Sequence, residues 1–364
     1  MKILVLQDYL RSGGTERQSL LLTRAFAAAG HDTTLLTFRP GGVLAPTLDS
    51  AVAHRALQPF DTGLDWFAPG LRATVGRIQP QVVMCMGRMA NCYAGSIQAR
   101  HPYLAVIATM RTGKPLPWLF RRSLRQVRHV VANSHAAKAT LVAGHDIAAE
   151  KISVIHNSLV FPPESTLGHD ESLRAKWGAT PATKVLLNVA MFRPEKNQRE
   201  LIETVAELPR PLDFQLWLAG VGPARADCER LVAERNWGGF VKFPGFHSNP
   251  TPLYSAADLA VHASWSESLS NFLIEAQAHG LPTVAYAAQG LDECCVPGDT
   301  GFVLPRGDRA AFLAALTRLL GEPAEEHARR AARARAFARA TFDPPRQISA
   351  YLELLQKLAS APVP

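Results

Sequence analysis

Long apolar runs are absent from this chain of 364 residues, because none approaches the ~20 residues that a membrane-spanning helix needs. The first run, ILVL in MKILVLQDYL, ends at Gln7 and Asp8. It is too short for the apolar region of a secretory signal and predicts a first strand. The five cysteines form no C-x-x-C pair and leave one over, which favours a reducing cytoplasm over disulfides or zinc. We therefore expect a cytoplasmic protein that contacts a membrane only at its surface.

Acidic residues are scarce in the first part of the chain. Residues 1–165 contain 18 Lys and Arg against 9 Asp and Glu, a net charge of +9, whereas residues 166–364 contain 21 against 22. The whole chain is 47% apolar and 19% charged, the composition of an ordinary globular protein, which excludes a disordered one. Its length exceeds what one hydrophobic core usually supports, so we expect two domains.

Short aliphatic runs alternate with amphipathic stretches, which predicts repeated βαβ units and a parallel sheet in each domain. Six runs precede residue 160 and six follow it: ILVL, TTLLTF, QVVMCM, YLAVIA, HVVANS and ISVIHN, then VLLNVA, FQLWLAG, VKFPG, LAVHAS, TVAYA and FVLP. The segment 160–170, with two prolines and small polar residues, is the predicted linker. The expected domains are 1–165 and 166–342, followed by a closing helix over 343–364 that packs back on the first domain.

Gly13 and Gly14 follow the first strand and precede a predicted helix. The unpaired N–H groups of a helix start suit a phosphate. The G-x-G-x-x-G spacing of a dinucleotide fingerprint is absent, and a tight turn explains the pair equally well.

Arg193 and Lys196 follow a predicted buried strand in the second domain. The carboxyl ends of parallel strands are where open α/β sheets bind ligands, and these cations suit a diphosphate. The alternative is a solvated helix start.

Glu267 and Glu275 flank the start of a predicted helix in SWSESLSNFLIEA. Backbone N–H groups of Ser268, Leu269, Ser270 and Asn271 could hold an anion there, and the carboxylates could accept hydrogen bonds from hydroxyl groups on either side. A sugar nucleotide has this arrangement of sugar, diphosphate and ribose. The alternative is a pair of surface charges at a helix start.

These motifs together resemble the retaining glycosyltransferases of family 4, which have the GT-B fold of two facing Rossmann-like domains. The resemblance covers nearly the whole chain and rests on segments in matching order: GGTERQ, VVANSHAAKATLVAGHDIAAEKISVIHNSLV, RPEKNQ, LAGVGP, SESLSNFLIEAQAHGLPTVAY and GLDECCVPGDTGFVLP. It implies transfer of a sugar from a nucleoside-diphosphate sugar with retention of anomeric configuration.

The resemblance also implies roles for individual residues. Lys196, with Arg193, would bind the donor diphosphate, Glu275 the ribose hydroxyls and Glu267 the transferred sugar. The amides of residues 268–271 would hold phosphate, and Gly13 and Gly14 would let the first domain approach the donor. Such enzymes usually need no metal, and the sequence contains no Asp-x-Asp motif. We therefore expect a nucleotide sugar as co-substrate and expect neither a cofactor nor a metal.

Two positions depart from the family pattern. Met191 stands where an arginine is common, so Arg193 is the predicted substitute. Arg111 stands near the end of a strand where many members have a histidine. It is a candidate site residue, but no role of that histidine is transferred to it.

The sequence leaves three alternatives open. A hydrolysing sugar-nucleotide epimerase shares the GT-B architecture, and product analysis without an acceptor would distinguish it. An NAD-dependent oxidoreductase would need the missing three-glycine fingerprint. A non-catalytic binding lobe would have lost the cations or the glutamates.

Residues 111–128 contain six basic side chains and no acidic one. A helix over 117–128 would place four arginines opposite Leu119, Phe120, Leu124 and Val127, which suits an anionic membrane surface. The prediction is a glycan or lipid-linked acceptor at the inner membrane face, with no nucleic-acid partner. The alternative is an ordinary helix with its apolar side in the core.

Overall fold

The computed structural model describes residues 1–159, 161–162, 170–209 and 212–361. It divides into two compact units, of which one joins Met1–Ser158 to the segment that starts at Pro344 and the other is Leu159–Asp343. The predicted boundary at residues 165 and 166 lies outside the described residues. So does most of the predicted linker, of which 161, 162 and 170 are described.

The first unit contains one parallel sheet with the strand order β3-β2-β1-β4-β5-β6-β7. Its strands are β1 Lys2–Gln7, β2 Asp32–Thr37, β3 Ala53–Ala56, β4 Val82–Cys85, β5 Ala105–Met110, β6 His129–Ala132 and β7 Ile152–Val154. Its helices are α1 Gly14–Ala28, α2 Leu71–Ile78, α3 Arg88–Arg100, α4 Trp118–Gln126 and α5 His135–His145, joined by the C-terminal helix α13 Pro344–Ser360.

Strand β1 shows why an apolar run becomes a central parallel strand. Successive side chains of a strand point to opposite faces of the sheet. Leu4 and Leu6 belong to the core on one face, while Ile3 and Val5 belong to the core on the other. Both faces are therefore covered, which explains the unbroken aliphatic sequence.

Strand β3 is the one strand of the described first unit that the sequence patterns missed. It pairs with β2 at the edge of the sheet, and its sequence AHRA is mostly exposed. An edge strand with little buried surface needs no apolar run, so periodicity gives no signal for it.

The closing helix α13 packs on the first unit. Tyr351 and Leu355 are buried in the same core as Ile3 and Val5, and the Tyr351 ring lies 6.4 Å from that of Phe26. The chain therefore returns to the first unit after the second sheet is complete.

The second unit contains a parallel sheet with the strand order β10-β9-β8-β11-β12-β13. Its strands are β8 Lys184–Val189, β9 Phe214–Ala219, β10 Val241–Gly245, β11 Leu259–His262, β12 Thr283–Tyr286 and β13 Gly301–Leu304. Its helices are α6 Glu171–Lys176, α7 Gln198–Ala206, α8 Arg225–Glu234, α9 Thr251–Ala256, α10 Asn271–Ala278, α11 Arg309–Leu320 and α12 Ala324–Phe342. These are the six strands that the aliphatic runs predict for this half. Because β8 and β11 are neighbours, the loops that follow them leave the same edge side by side.

Candidate functional site

The loop that carries Lys196 connects β8 to α7. After β8 the buried Phe192 anchors the chain, Arg193 is extended, and Pro194–Lys196 form one short turn. Asn197 then adopts a left-handed conformation with a φ of 54° before α7 begins. Asparagine tolerates that conformation better than most residues, and such strained positions occur often at functional loops.

The Lys196 loop is tied to the loop after β11. The Glu195 carbonyl accepts hydrogen bonds from the Trp265 N–H and the Ser264 hydroxyl, each at 3.0 Å. These contacts bring residues that are far apart in the sequence to one edge of the sheet.

The Gly-rich turn LAGVGP supports the Lys196 loop from the other side. Gly220 and Gly222 have φ angles of 143° and 150°, and a Cβ on either would clash with the backbone carbonyl of Ala190 or Phe192. Only glycine accommodates both the positive φ and this close approach. The turn thereby sets the position of the strand-to-helix loop that it touches.

Glu267 receives two hydrogen bonds on one oxygen. Its Oε1 lies 2.5 Å from Lys196 Nζ and 2.8 Å from His262 Nε2. Burial by itself would raise the pKa of Glu267, but the Lys196 ammonium and the His262 hydrogen bond outweigh it and hold the pKa at about 2. The carboxylate is therefore ionised at neutral pH. Burial also lowers the pKa of His262, although the contact with Glu267 opposes that shift.

Glu275 lies in α10 and has a different partner. The Ser270 hydroxyl caps this helix by accepting a hydrogen bond from the Leu273 N–H. Glu275 Oε2 accepts one from the Tyr254 hydroxyl at 2.6 Å, and the Tyr254 ring stacks on His279 with centroids 4.6 Å apart. The helix start lies at Asn271, so the predicted anion-binding residues Ser268 to Ser270 form the turn before it, and all three are buried.

The predicted glycine pair lies in the first unit. Gly13 is extended, with a φ of −77°, and precedes α1 at Gly14. A side chain at Gly13 would meet the carboxylate of Glu16, so this position needs small size rather than a left-handed backbone. Its predicted role toward the donor stays a prediction.

Arg111 follows β5, and the fold uses both of its terminal nitrogens. Its Nη1 donates to Asn157 Oδ1 and its Nη2 to the Tyr351 hydroxyl, each at 2.5 Å. Arg111 thus fastens the closing helix α13 to the end of the sheet. Its role as a site residue remains a prediction, and the structure shows a structural role beside it.

Three polar residues near the two glutamates escaped the sequence patterns: Asn188, Tyr254 and His262. Asn188 and His262 are both 1% exposed, although each lies in an otherwise aliphatic strand. A lone polar residue in a buried strand must find a hydrogen-bond partner, so their presence in VLLNVA and LAVHAS was the available signal. Tyr254 gave no such signal, because a buried tyrosine is common in any core.

The basic segment 111–128 forms a shorter helix than expected. Helix α4 covers Trp118–Gln126, with Phe120 and Leu124 buried in the core of the first unit. Leu119 was predicted on that apolar face, but it is 52% exposed, beside Trp118 at 61%. Arg122 lies over the Trp118 ring at 5.5 Å. The buried side of α4 therefore packs in the core of the first unit, and its exposed side presents two large apolar residues together with arginines.

Within the described residues, no helix combines the length and the hydrophobicity that crossing a bilayer requires.

Comparisons with known proteins agree with the two-unit architecture. The model described as Glycosyltransferase Family 4 matches residues 12–159, and the model described as Glycosyl transferases group 1 matches residues 169–337. Together they cover most of both units.

Curated relatives match over part of their length. The chain is 30% identical over 149 residues to the lipopolysaccharide core biosynthesis glycosyltransferase LpsE of Rhizobium meliloti, covering 41% of this chain and 43% of LpsE. It is 28% identical over 179 residues to N-acetyl-alpha-D-glucosaminyl L-malate synthase of Bacillus anthracis, covering 49% and 47%. The chain thus spans about half the length of the curated relatives it matches.

Solved structures match over the whole chain. Anabaena Alr3699/HepE, crystallised in complex with UDP, superposes with a TM-score of 0.82 at 22% identity, covering 98% of this chain and 100% of that one. Sucrose-phosphate synthase from Thermosynechococcus elongatus gives 0.81 at 20% identity, with complete coverage of both chains. At these identities the likeness establishes the fold. The two family models each match one parallel-sheet unit, and the solved structures share the GT-B fold over the whole chain. The chain belongs to the family-4 glycosyltransferases.

Proposed function

We propose that this chain is a retaining hexosyltransferase that moves a sugar from a nucleoside-diphosphate sugar to an acceptor. The observation that carries the proposal is the pairing of Lys196 with the buried, ionised Glu267 at the carboxyl edge of the second sheet. Open α/β sheets bind ligands at this edge. Retention of configuration rests on family membership.

The proposed roles follow from the charge that the reaction develops. A leaving nucleoside diphosphate carries negative charge and the departing sugar becomes oxocarbenium-like, so cations at the diphosphate and hydrogen bonds to the sugar lower the barrier. Lys196 and Arg193 supply the cations. Glu267, ionised and held on one oxygen, accepts from a hydroxyl of the transferred sugar.

The remaining donor contacts lie around α10. Backbone N–H groups of residues 268–271 bind the phosphates at the start of that helix. Glu275, oriented by the Tyr254 hydroxyl, accepts from the ribose hydroxyls. In the first unit, Gly13 and Gly14 keep the start of α1 open to a ligand. No metal takes part in this proposal, and activity that persists in excess EDTA is its test.

UDP-glucose is the first donor to test, since HepE was crystallised in complex with UDP and with UDP-glucose. Titration calorimetry with UDP, GDP and ADP identifies the base, and release of the diphosphate from the matching sugar nucleotide measures turnover. Chromatography of the sugar released without an acceptor, against standards of both epimers, distinguishes a transferase from a hydrolysing epimerase, which would release an epimerised sugar. Family membership favours the transferase and disfavours the oxidoreductase. Absence of binding to all three diphosphates would reject the proposal.

We also propose that the acceptor is an anionic or lipid-linked glycan at the inner membrane face. The observation that supports it is the exposed side of α4, where Trp118 and Leu119 adjoin Arg121, Arg122 and Arg125. Tryptophan prefers the membrane interface, and each arginine near an anionic surface contributes ~1 kcal/mol. Sedimentation with lipid vesicles tests this proposal.

A further inference from the structure

A chain of buried polar groups leads from the centre of the second sheet to Glu267. Asn188 near the end of β8 and His262 at the end of β11 are side by side and buried. Asn188 Nδ2 lies 2.8 Å from the Val261 carbonyl oxygen and 3.2 Å from His262 Nδ1. His262 Nε2 lies 2.8 Å from Glu267 Oε1.

The Val261 carbonyl fixes the orientation of the Asn188 amide. A carbonyl oxygen only accepts hydrogen bonds, so the Asn188 atom that faces it must be the NH₂ nitrogen. That nitrogen has a second hydrogen, and His262 Nδ1 is the acceptor within reach. His262 Nδ1 is therefore unprotonated.

The ring proton must then lie on Nε2, which donates to Glu267. The opposite tautomer would place two N–H groups of Asn188 and His262 against each other and a lone pair against the carboxylate. A doubly protonated ring would meet the same clash at Nδ1. Burial and the charge of Lys196 disfavour the doubly protonated, cationic form of the His262 ring, whereas the charge of Glu267 favours it.

We propose that His262 is a positioning residue, held by Asn188 as the neutral Nε2–H tautomer, which keeps the Glu267 carboxylate in place when Lys196 binds the donor diphosphate. This inference rests on the proposed function. Lys196 and His262 donate to the same Glu267 oxygen, so the carboxylate keeps one partner if the lysine turns to a phosphate. A neutral donor orients Glu267 without cancelling the negative charge that the sugar hydroxyls require.

The first test observes the tautomer directly in the wild-type chain. Two-dimensional ¹H–¹⁵N NMR of protein labelled with ¹⁵N-histidine reports which ring nitrogen is protonated, and H262Q identifies the His262 signals among the 12 histidines. The neutral Nε2–H pattern should persist from pH 6 to 8. A protonated Nδ1, or conversion to the doubly protonated ring near pH 6.5, would overturn the inference.

The second test compares two replacements of His262. The amide nitrogen of glutamine reaches the position of Nε2, whereas that of asparagine reaches the position of Nδ1. We expect H262Q to release UDP from UDP-glucose with kcat within about threefold of wild type, and H262N to lose more than about tenfold. The Kd for UDP should stay unchanged in both. Equal loss in the two variants would mean that His262 only fills space.

The third test reverses the hydrogen bond at Nδ1. In N188D a carboxylate replaces the donor, so the His262 ring should become doubly protonated at pH 7 in the same NMR experiment. A ring that keeps the neutral Nε2–H pattern in N188D would reject the role of Asn188. The tautomer measurements do not depend on catalysis, so failure of the transferase proposal and failure of this inference give different results.

Discussion

Each unit buries a carboxylate just beyond its sheet, and the pKa values of the two carboxylates are shifted in opposite directions. Asp8, after β1 in the first unit, accepts hydrogen bonds from the N–H groups of Met89 and Ala90 at the start of α3. Burial nevertheless raises its pKa to about 7. Glu267 in the second unit contacts a lysine and a histidine, and its pKa falls to about 2. The charges of Asp65 and Glu16 add to the rise at Asp8, whereas at Glu267 the Lys196 ammonium and the His262 hydrogen bond outweigh burial.

The difference also separates a structural carboxylate from a candidate functional one. The Asp8 carboxylate caps the N-terminus of α3, and a Cβ on Gly87 would clash with the Asp8 side chain. Asp8 is therefore packed against the backbone. Glu267 lies among side chains that could exchange partners with a ligand. A shifted pKa marks both residues, so the chemistry of the neighbours decides which is a site.

The largest expected effect is a change in the free energy of unfolding with pH, and it tests the difference between Asp8 and Glu267. The pKa of Asp8 is raised in the folded state from an ordinary 3.8 to about 7, so the stability that its neutral form contributes is lost as pH rises through 7. Between pH 5 and pH 8 this should lower the free energy of unfolding by about 2–3 kcal/mol. Urea unfolding of wild type and D8N at both pH values measures it, and D8N should lack that decrease.

Glu267 provides the matched control for that measurement. Its folded pKa is depressed, so its contribution is complete above an ordinary value of 4.5 and is lost only as pH falls toward 2. E267Q should therefore keep the wild-type decrease between pH 5 and pH 8. A decrease of equal size in wild type and D8N would show that Asp8 is ionised in the fold.

The next effect concerns catalysis in the second unit. K196A should lower turnover of the true donor ten- to a hundredfold, because a charge-assisted contact contributes about 1.5–3 kcal/mol to the leaving group. Circular dichroism should show an intact fold. K176A, which removes an exposed lysine of the same unit, is the matched control. Turnover of K196A within twofold of wild type would contradict the phosphate role.

A smaller effect separates the two glutamates. E275A should weaken binding of the donor's nucleoside diphosphate about five- to tenfold, since a lost hydrogen bond costs about 1 kcal/mol or slightly more. E267A should leave the Kd for that diphosphate nearly unchanged and lower kcat, because Glu267 is assigned to the sugar. Calorimetry and initial rates measure both quantities. If the two variants lost affinity for the diphosphate equally, the division of roles would be wrong.

The smallest effect tests the exposed side of α4 in the first unit. Replacing Arg121, Arg122 and Arg125 with glutamine should reduce sedimentation with anionic vesicles several-fold, and added salt should do the same to wild type. W118A should weaken it further by removing the interfacial ring. Equal association with neutral and anionic vesicles, or none with either, would end the membrane proposal and leave the transferase proposal untouched.

The sequence predicted most of the architecture, because aliphatic runs and helical periodicity record burial directly. It gave every strand of the second sheet and all but the exposed edge strand β3 of the first. It also gave Lys196 and Glu267 as separate motifs, but not their contact. That contact depends on β8 and β11 being neighbours in the sheet, an order that no local pattern encodes.

The same limit applies to α4 and Arg111. Periodicity placed Leu119 with Phe120 and Leu124, but the packing of α3 on α4 covers only part of that face. Arg111 became a candidate through its match to a family position, and nothing local shows that a helix 240 residues later brings Tyr351 to it. Long-range partners decide what a charged side chain does.

The two glycines of LAGVGP have a practical consequence for changing the donor preference of this chain. They lie against the backbone of Ala190 and Phe192, so a methyl group at either would push on the segment that leads to Lys196. A mutant library that varied Gly220 or Gly222 would fill with variants whose lost activity looks like a binding defect. Diversity is better placed at exposed positions after neighbouring strands, such as Val221 and Phe246, where a side chain can change without moving the loop.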